Sequence, residues 1–144
     1  MCFMKTARTI LALSLTGAFC RTLTAQAPKS VWDGVYTEGQ AQRGEGNYHK
    51  LCASCHGDDL LGEGQTPPLS GNDFKANWNG QTVDDLFEEV QAAMPADHPG
   101  SLTREQNADI IAFLLKSNQF PAGKSELLPD AASLKQIKFE AAKK

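Results

Sequence analysis

The stretch LCASCHGDD, residues 51–59, places Cys52, Cys55 and His56 within five positions. Three chemistries use a C-x-x-C pair, and each demands a different fold around it. A thioredoxin-type redox pair sits in a βαβ setting, and no strand pattern accompanies this one. A zinc site draws about four ligands, and His49, His56 and His98 match no common zinc spacing. Covalent haem attachment reads C-x-x-C-H. Two thiols one helical turn apart can bond the two vinyl groups along one haem edge, and His56 then lies beneath the iron as its proximal ligand. A structural disulfide or thiol pair remains the alternative. The expectation is a chain that folds around one covalently attached haem c.

The first residues fit that expectation. Lys5 and Arg8 give a positive start, residues 9–19 carry no charge, and LTAQAP (23–28) supplies small residues in an A-x-A arrangement. That order is a secretory signal peptide, and its apolar run is too short to stay in a bilayer as a spanning helix. Residues 1–25 are therefore expected to be removed, with cleavage after Ala27 as the alternative. An ordinary buried N-terminal helix is a competing reading. A lipid anchor on Cys20 is another, although bulky Phe19 stands where lipoprotein signals carry a small residue. The mature chain is expected to be soluble and periplasmic, without a transmembrane segment. Such haems are attached outside the cytoplasm.

Removing the leader takes Cys2, Cys20, Met1 and Met4 with it. Cys52 and Cys55 are then the only cysteines, and Met94 the only methionine. A six-coordinate electron-transfer haem commonly takes a methionine sulfur as its second axial ligand. Met94 closes an apolar helical stretch and precedes Pro95, which holds it at a helix-to-loop corner, so Met94 is the expected distal ligand. A core methionine is the plainer alternative. His98 is the rival ligand and reads better as a solvated loop residue, as does His49 on the surface of the first helix. The leader also carries Lys5, Arg8 and Arg21, so the mature chain has 11 basic and 17 acidic residues, a formal charge of −6. No basic patch marks a nucleic-acid partner.

With 144 residues, 41% of them hydrophobic, the chain suffices for one domain with extensions. Residues 26–36 read as a lead-in. A first helix is expected from Thr37 to Leu51, with Thr37 and Gln40 as a capping box. Gly44 and Gly46 inside it cost roughly 1 kcal/mol each against Ala, which points to a close backbone approach. Residues 57–81 are punctuated by glycine and proline and read as loop, interrupted by Leu60, Leu69, Phe74 and Trp78. A loop of that length makes sense if it packs on something other than protein. A second helix is expected over 82–94, capped by Thr82, and a third over 103–117, capped by Thr103 with Gln106 and ended by Asn118. Residues 119–144 form a tail with one further short helix around 131–142. No strand pattern and no internal repeat stand out.

Taken together, these residues resemble the class I c-type cytochromes, small all-α electron carriers with three to five helices wrapped around one haem. The likeness covers residues 37–118: the helix with Gly44 and Tyr48, then CASCHG, PPLSG, AAMP and DIIAFLL. It implies that Pro67, Leu69 and Gly71 are the family's P-x-L-x-G loop. There the proline carbonyl accepts a hydrogen bond from the proximal histidine, with Pro68 leaving the register open by one. It also implies that Gly44 marks the crossing of the first and last helices near Phe113 and Leu114. Phe74 and Trp78 would wall the haem, with plain core packing as the alternative. VWDGVYTEGQAQRGEGNYHKLCASCHG and the tail FPAGKSELLPD look like the cytochromes that accompany bacterial pyrroloquinoline quinone dehydrogenases.

The resemblance implies a monohaem carrier of single electrons, not an enzyme, present as a monomer or in transient complexes. A quinoprotein dehydrogenase would be its donor, and a terminal oxidase or another cytochrome its acceptor. Three alternatives stay open: an electron-accepting subunit of such a dehydrogenase complex, a haem-based ligand sensor, and a thiol oxidoreductase.

Overall fold

The computed structural model describes residues 29–143. The expected signal peptide, its A-x-A site, Cys2 and Cys20 lie outside the described residues. Among the described residues six α-helices follow in order: α1 Glu38–Leu51, α2 Ala53–His56, α3 Gly71–Trp78, α4 Val83–Ala93, α5 Arg104–Ser117 and α6 Ala131–Leu134. A single 3-10 turn, Val31–Asp33, precedes them. Two strands of two residues each, β1 Lys29–Ser30 and β2 Ile137–Lys138, pair in parallel. Among the described residues no helix is long and apolar enough to cross a membrane.

Capping residues set the long helices. Thr37, Thr82 and Thr103 each have extended backbone, and each side chain accepts from an N–H three residues on, which satisfies a donor that the first turn leaves free. The capping box closes for Thr82 with Asp85 and for Thr103 with Gln106. It does not close for Thr37. The Gln40 amide instead reaches the tail: its Nε2 donates to Leu127 O at 3.0 Å and its Oε1 accepts from Leu127 N at 2.8 Å. Leu127 is buried there, and backbone groups taken out of water outcompete an N-cap that water can serve.

Asp85 makes the α4 cap pH-sensitive. Its Oδ2 accepts from both the Thr82 hydroxyl and the Thr82 N–H at 2.7 Å. The hydroxyl first, then the backbone bond, hold the carboxyl below the usual range. A folded value below the unfolded one stabilises fully above about pH 4 and is lost as pH falls through the depressed value. Asp85→Asn should therefore lower the melting temperature at neutral pH by a few degrees. It should also flatten the acid limb of a melting-temperature profile against pH; an unchanged limb would show that this carboxylate is not linked to folding.

The helix framework is the crossing of α1 with α5. Gly44 makes it close: a Cβ there would collide with the Asp109 carbonyl and lie 3.0 Å from Phe113 Cβ. One turn on, the buried Tyr48 ring meets Phe113 at 5.2 Å between centroids. At the surface, Arg43 clamps Asp109 with two 3.0 Å bonds and holds Glu126 of the tail with another. On the far side of α5, the buried Asn107 donates to Phe87 O at 2.9 Å, tying α4 to the same framework.

Two segments depart from the sequence expectation. Residues 71–78, inside the expected loop 57–81, form α3; the glycine-proline punctuation pauses between Gly71 and Gly80, and NDFKANW carries no breaker. In the tail, α6 ends at Leu134 instead of reaching Ala142. Beyond it Ile137 and Phe139 are buried while Lys138 is exposed, the period of two that marks a strand with one buried face.

Candidate cofactor site

α1 ends at Leu51, and Cys52 turns out of it. The N–H groups of Cys55 and His56 both donate to Cys52 O, at 3.1 and 3.0 Å. One tight turn therefore carries both thiols and the imidazole. Both thiols are free, Cys52 half-buried and Cys55 exposed. In the chain without haem, burial, and then the neighbouring Cys55, pushes the Cys52 thiol up to about 11.

His56 is buried. Its Nδ1 lies 3.1 Å from Pro67 O. A carbonyl can only accept, so Nδ1 carries the proton and Nε2 is left with its lone pair. The partner is Pro67 and not Pro68. The loop 57–70 that brings this carbonyl to the ring is held at several points. The Tyr48 hydroxyl donates to Gly57 O at 2.6 Å, and burial pushes that phenol up to about 12, so it stays a donor. Gly62 N donates to His56 O at 2.9 Å. Gly62 has φ +71°, and a Cβ there would come within 2.9 Å of Pro67 O and collide with Thr66 O.

Asn118, at the C-terminus of α5, fastens the loop from below. It donates to Leu69 O at 2.9 Å and accepts from Gly71 N at 3.0 Å while also bonding Leu114 O. Sequence reasoning identified Asn118 only as a helix stop. An asparagine after an apolar helix is a local C-cap signal, and nothing local says that its amide also reaches a loop 49 positions away.

These residues open onto one cavity of about 1140 Å³. Cys52, Cys55, His56, Pro67, Leu69, Phe74, Trp78 and Met94 all line it. Phe74 is buried and Trp78 half-buried, their rings 6.5 Å apart. Leu86, Val90, Ile110 and Leu114 complete an apolar wall. Met94 caps the C-terminus of α4 and is half-buried, its N–H donating to Val90 O at 3.0 Å. His98, four residues on, borders the same cavity from an exposed turn. His49 lies outside the lining and pairs with Asp58 at 2.9 Å on the surface. Asp85, Glu89 and Asp97 line the cavity as exposed acids and Lys50 is, among the described residues, the one lysine or arginine in the lining, with Lys138 and Lys135 also near Asp85.

The donor set suits a haem: two thiols on one turn, a buried imidazole with an oriented free nitrogen, a thioether on the same cavity, and apolar walls. Among the described residues no three His, Cys, Asp or Glu side chains converge as a metal-ion site, so the zinc reading gains no support.

Comparison with known proteins follows the same line. A family model described as "Cytochrome C oxidase, cbb3-type, subunit III" matches residues 39–114. A crystal structure of the sulfane dehydrogenase SoxCD from Paracoccus pantotrophus contains a chain of similar fold, with a TM-score of 0.52 at 22% identity. The similarity covers 75% of this chain and 61% of that one, so this chain spans less than two thirds of its neighbour's length. No curated protein sequence matches.

Proposed function

We propose that this chain, which belongs to the c-type cytochrome family described as Cytochrome C oxidase, cbb3-type, subunit III, is a periplasmic carrier of single electrons. It is a class I c-type cytochrome of all-α fold, and its cofactor is covalently bound haem c. In the proposed site Cys52 and Cys55 would attach the haem, and His56 and Met94 would hold its iron. The observation that carries this reading is the shared cavity. The two thiols, the imidazole held by Pro67 and the thioether of Met94 all border it.

When bound, the haem supplies a reversible one-electron change at iron. The chain sets the conditions for it. The Pro67 carbonyl orients His56 and raises its basicity as a ligand. A Met94 sulfur on the iron would favour the ferrous state. With His56 and Met94 both holding the iron, no position would be left for a substrate, and the role would be transfer rather than catalysis. Leu86, Val90, Ile110 and Leu114 exclude water, which disfavours the more highly charged oxidised state. Electrons would pass through the edge next to Cys55, which is exposed. The acidic lip of Asp85, Glu89 and Asp97 suits a partner with a basic docking face. Encounter would then be fast, short-lived and weakened by salt.

A second reading makes the chain the electron-accepting subunit of a quinoprotein dehydrogenase complex; the likeness of its lead-in and tail to such cytochromes favours it. Co-purification with a dehydrogenase in a fixed ratio would decide for it. A sensor role requires Met94 to be displaceable.

Covalent attachment has a direct test. Acid–acetone extraction of protein exported by a host competent in cytochrome c maturation should leave the haem on the polypeptide. The double variant Cys52→Ser, Cys55→Ser should release whatever haem it holds. Release from the wild type would overturn the attachment.

A further inference from the structure

The segments flanking the family-matched region meet against one wall of the cofactor cavity. That wall runs from Phe74 and Trp78 on α3, through Gln81, to Leu86, Val90 and Met94 on and beyond α4. Its weak point is α3. Eight residues make a helix too short to be stable alone. Among the described residues, α3 takes no part in the principal helix–helix packings.

The C-terminal tail supplies what those packings do not. Phe139 is fully buried, its ring edge-on to Phe74 at 6.0 Å and to Phe120 at 5.3 Å. Its N–H donates to Gln81 O at 2.9 Å and its carbonyl accepts from Gly80 N at 2.8 Å. Ala141 N donates to Asn79 Oδ1 at 2.9 Å, and Lys138 bridges Thr82. Phe139 and Ala141 therefore hydrogen-bond Asn79, Gly80 and Gln81 of the 79–82 connection between α3 and α4, and Lys138 lies opposite Thr82. The lead-in anchors the tail in turn. β1 pairs with β2, Lys29 N donates to Gln136 O at 2.8 Å, and Trp32 Nε1 donates to Glu140 O at 2.9 Å.

We propose that residues 136–141 are a strap that positions the α3–α4 wall of the haem cavity, with Phe139 the positioning residue behind Phe74 and Trp78. The inference rests on the haem site proposed above. Phe139 does not line the cavity; it acts through Phe74, and its backbone bonds hold the corner from which α4 runs to Met94. With the strap in place the wall stays closed on the haem. With it loosened, α3 can part from the cavity, water enters, and the Met94 bond becomes easier to displace.

The test uses the holoprotein, well below its melting temperature. Three quantities are compared in wild type, Phe139→Ala, Phe139→Leu and Trp32→Phe: the rate at which ferric protein binds added imidazole, the reduction potential, and the visible circular dichroism of the haem. Phe139→Ala should speed imidazole binding roughly tenfold, a typical coupling between linked sites, and lower the potential. Phe139→Leu, which refills most of the volume, should restore both. A Phe139→Ala protein that melts earlier but keeps the wild-type imidazole rate and potential would reduce the strap to a general stabiliser and overturn the proposal. If Phe139→Ala yields no holoprotein, Trp32→Phe decides, because it removes the indole bond to Glu140 O while keeping an aromatic ring beside Phe120. A faster imidazole rate there supports the strap, and an unchanged one overturns it. A wild type that binds imidazole at once would overturn Met94 ligation instead. The strap would then be judged on potential alone, a fall in Phe139→Ala supporting it and no change overturning it.

Discussion

Met94→Ala is expected to abolish the weak sulfur-to-iron band in the far red of the ferric spectrum. It should also lower the reduction potential by a sizeable part of the roughly 0.8 V range over which axial ligands tune haem iron. A thioether binds ferrous iron better than ferric, so losing it favours oxidation. Met94 is the proposed ligand because the last turn of α4 holds it, through its N–H to Val90 O at 3.0 Å, in the lining of the cavity. His98 borders the same cavity from an exposed turn, where water competes for its nitrogens. His98→Ala should leave band and potential nearly unchanged. A band that survives Met94→Ala, or vanishes with His98→Ala, would end the ligand assignment. It would also reopen the sensor reading, since a labile sixth ligand exposes the iron to small molecules.

Gly44→Ala should destabilise the holoprotein by about 3 kcal/mol or more, at the upper end of the cost of forcing extra atoms into a packed interior. That corresponds to a fall in melting temperature on the order of 10 °C or more. The added methyl would meet the Asp109 carbonyl, which is backbone and cannot rotate away, and Phe113 Cβ at 3.0 Å. Relief requires α1 to move off α5. α1 leads directly into Cys52, and α5 ends in Asn118, which holds Leu69 and Gly71. The substitution should therefore disturb the haem surroundings as well as the stability. Gly46, two residues on, is the control: a Cβ there meets nothing within 4 Å, and Gly46→Ala should stabilise by a few tenths of a kcal/mol to about 1 kcal/mol through helix propensity alone. Thermal melts of the two holoproteins measure the contrast. Equal and small effects at both positions would show that the crossing is looser than the geometry implies.

What the sequence determined by itself is the part of the molecule governed by local rules. Caps at Thr37, Thr82 and Thr103 place the starts of α1, α4 and α5 within a residue, because a side chain satisfying an N–H three positions on is a property of a short window. Gly44 at the helix crossing is likewise a short-range signal, although Gly46 meets no neighbour, and the C-x-x-C-H turn and Met94 before Pro95 named the candidate ligands. Tertiary structure decided everything that joins distant positions. Gln40 gives up its capping role to bond Leu127, 87 positions away. Asn118 reaches back 49 positions to the loop that presents Pro67 O to His56. Trp32 and Glu140, 108 positions apart, close the strap behind Phe74 and Trp78. None of these contacts leaves a periodic mark, since each partner contributes one or two groups whose value depends on burial supplied by the rest of the chain. α3 shows the same limit: its eight residues sit among loop signals, and the tail's Phe139 packs on Phe74 of that helix from 65 positions away.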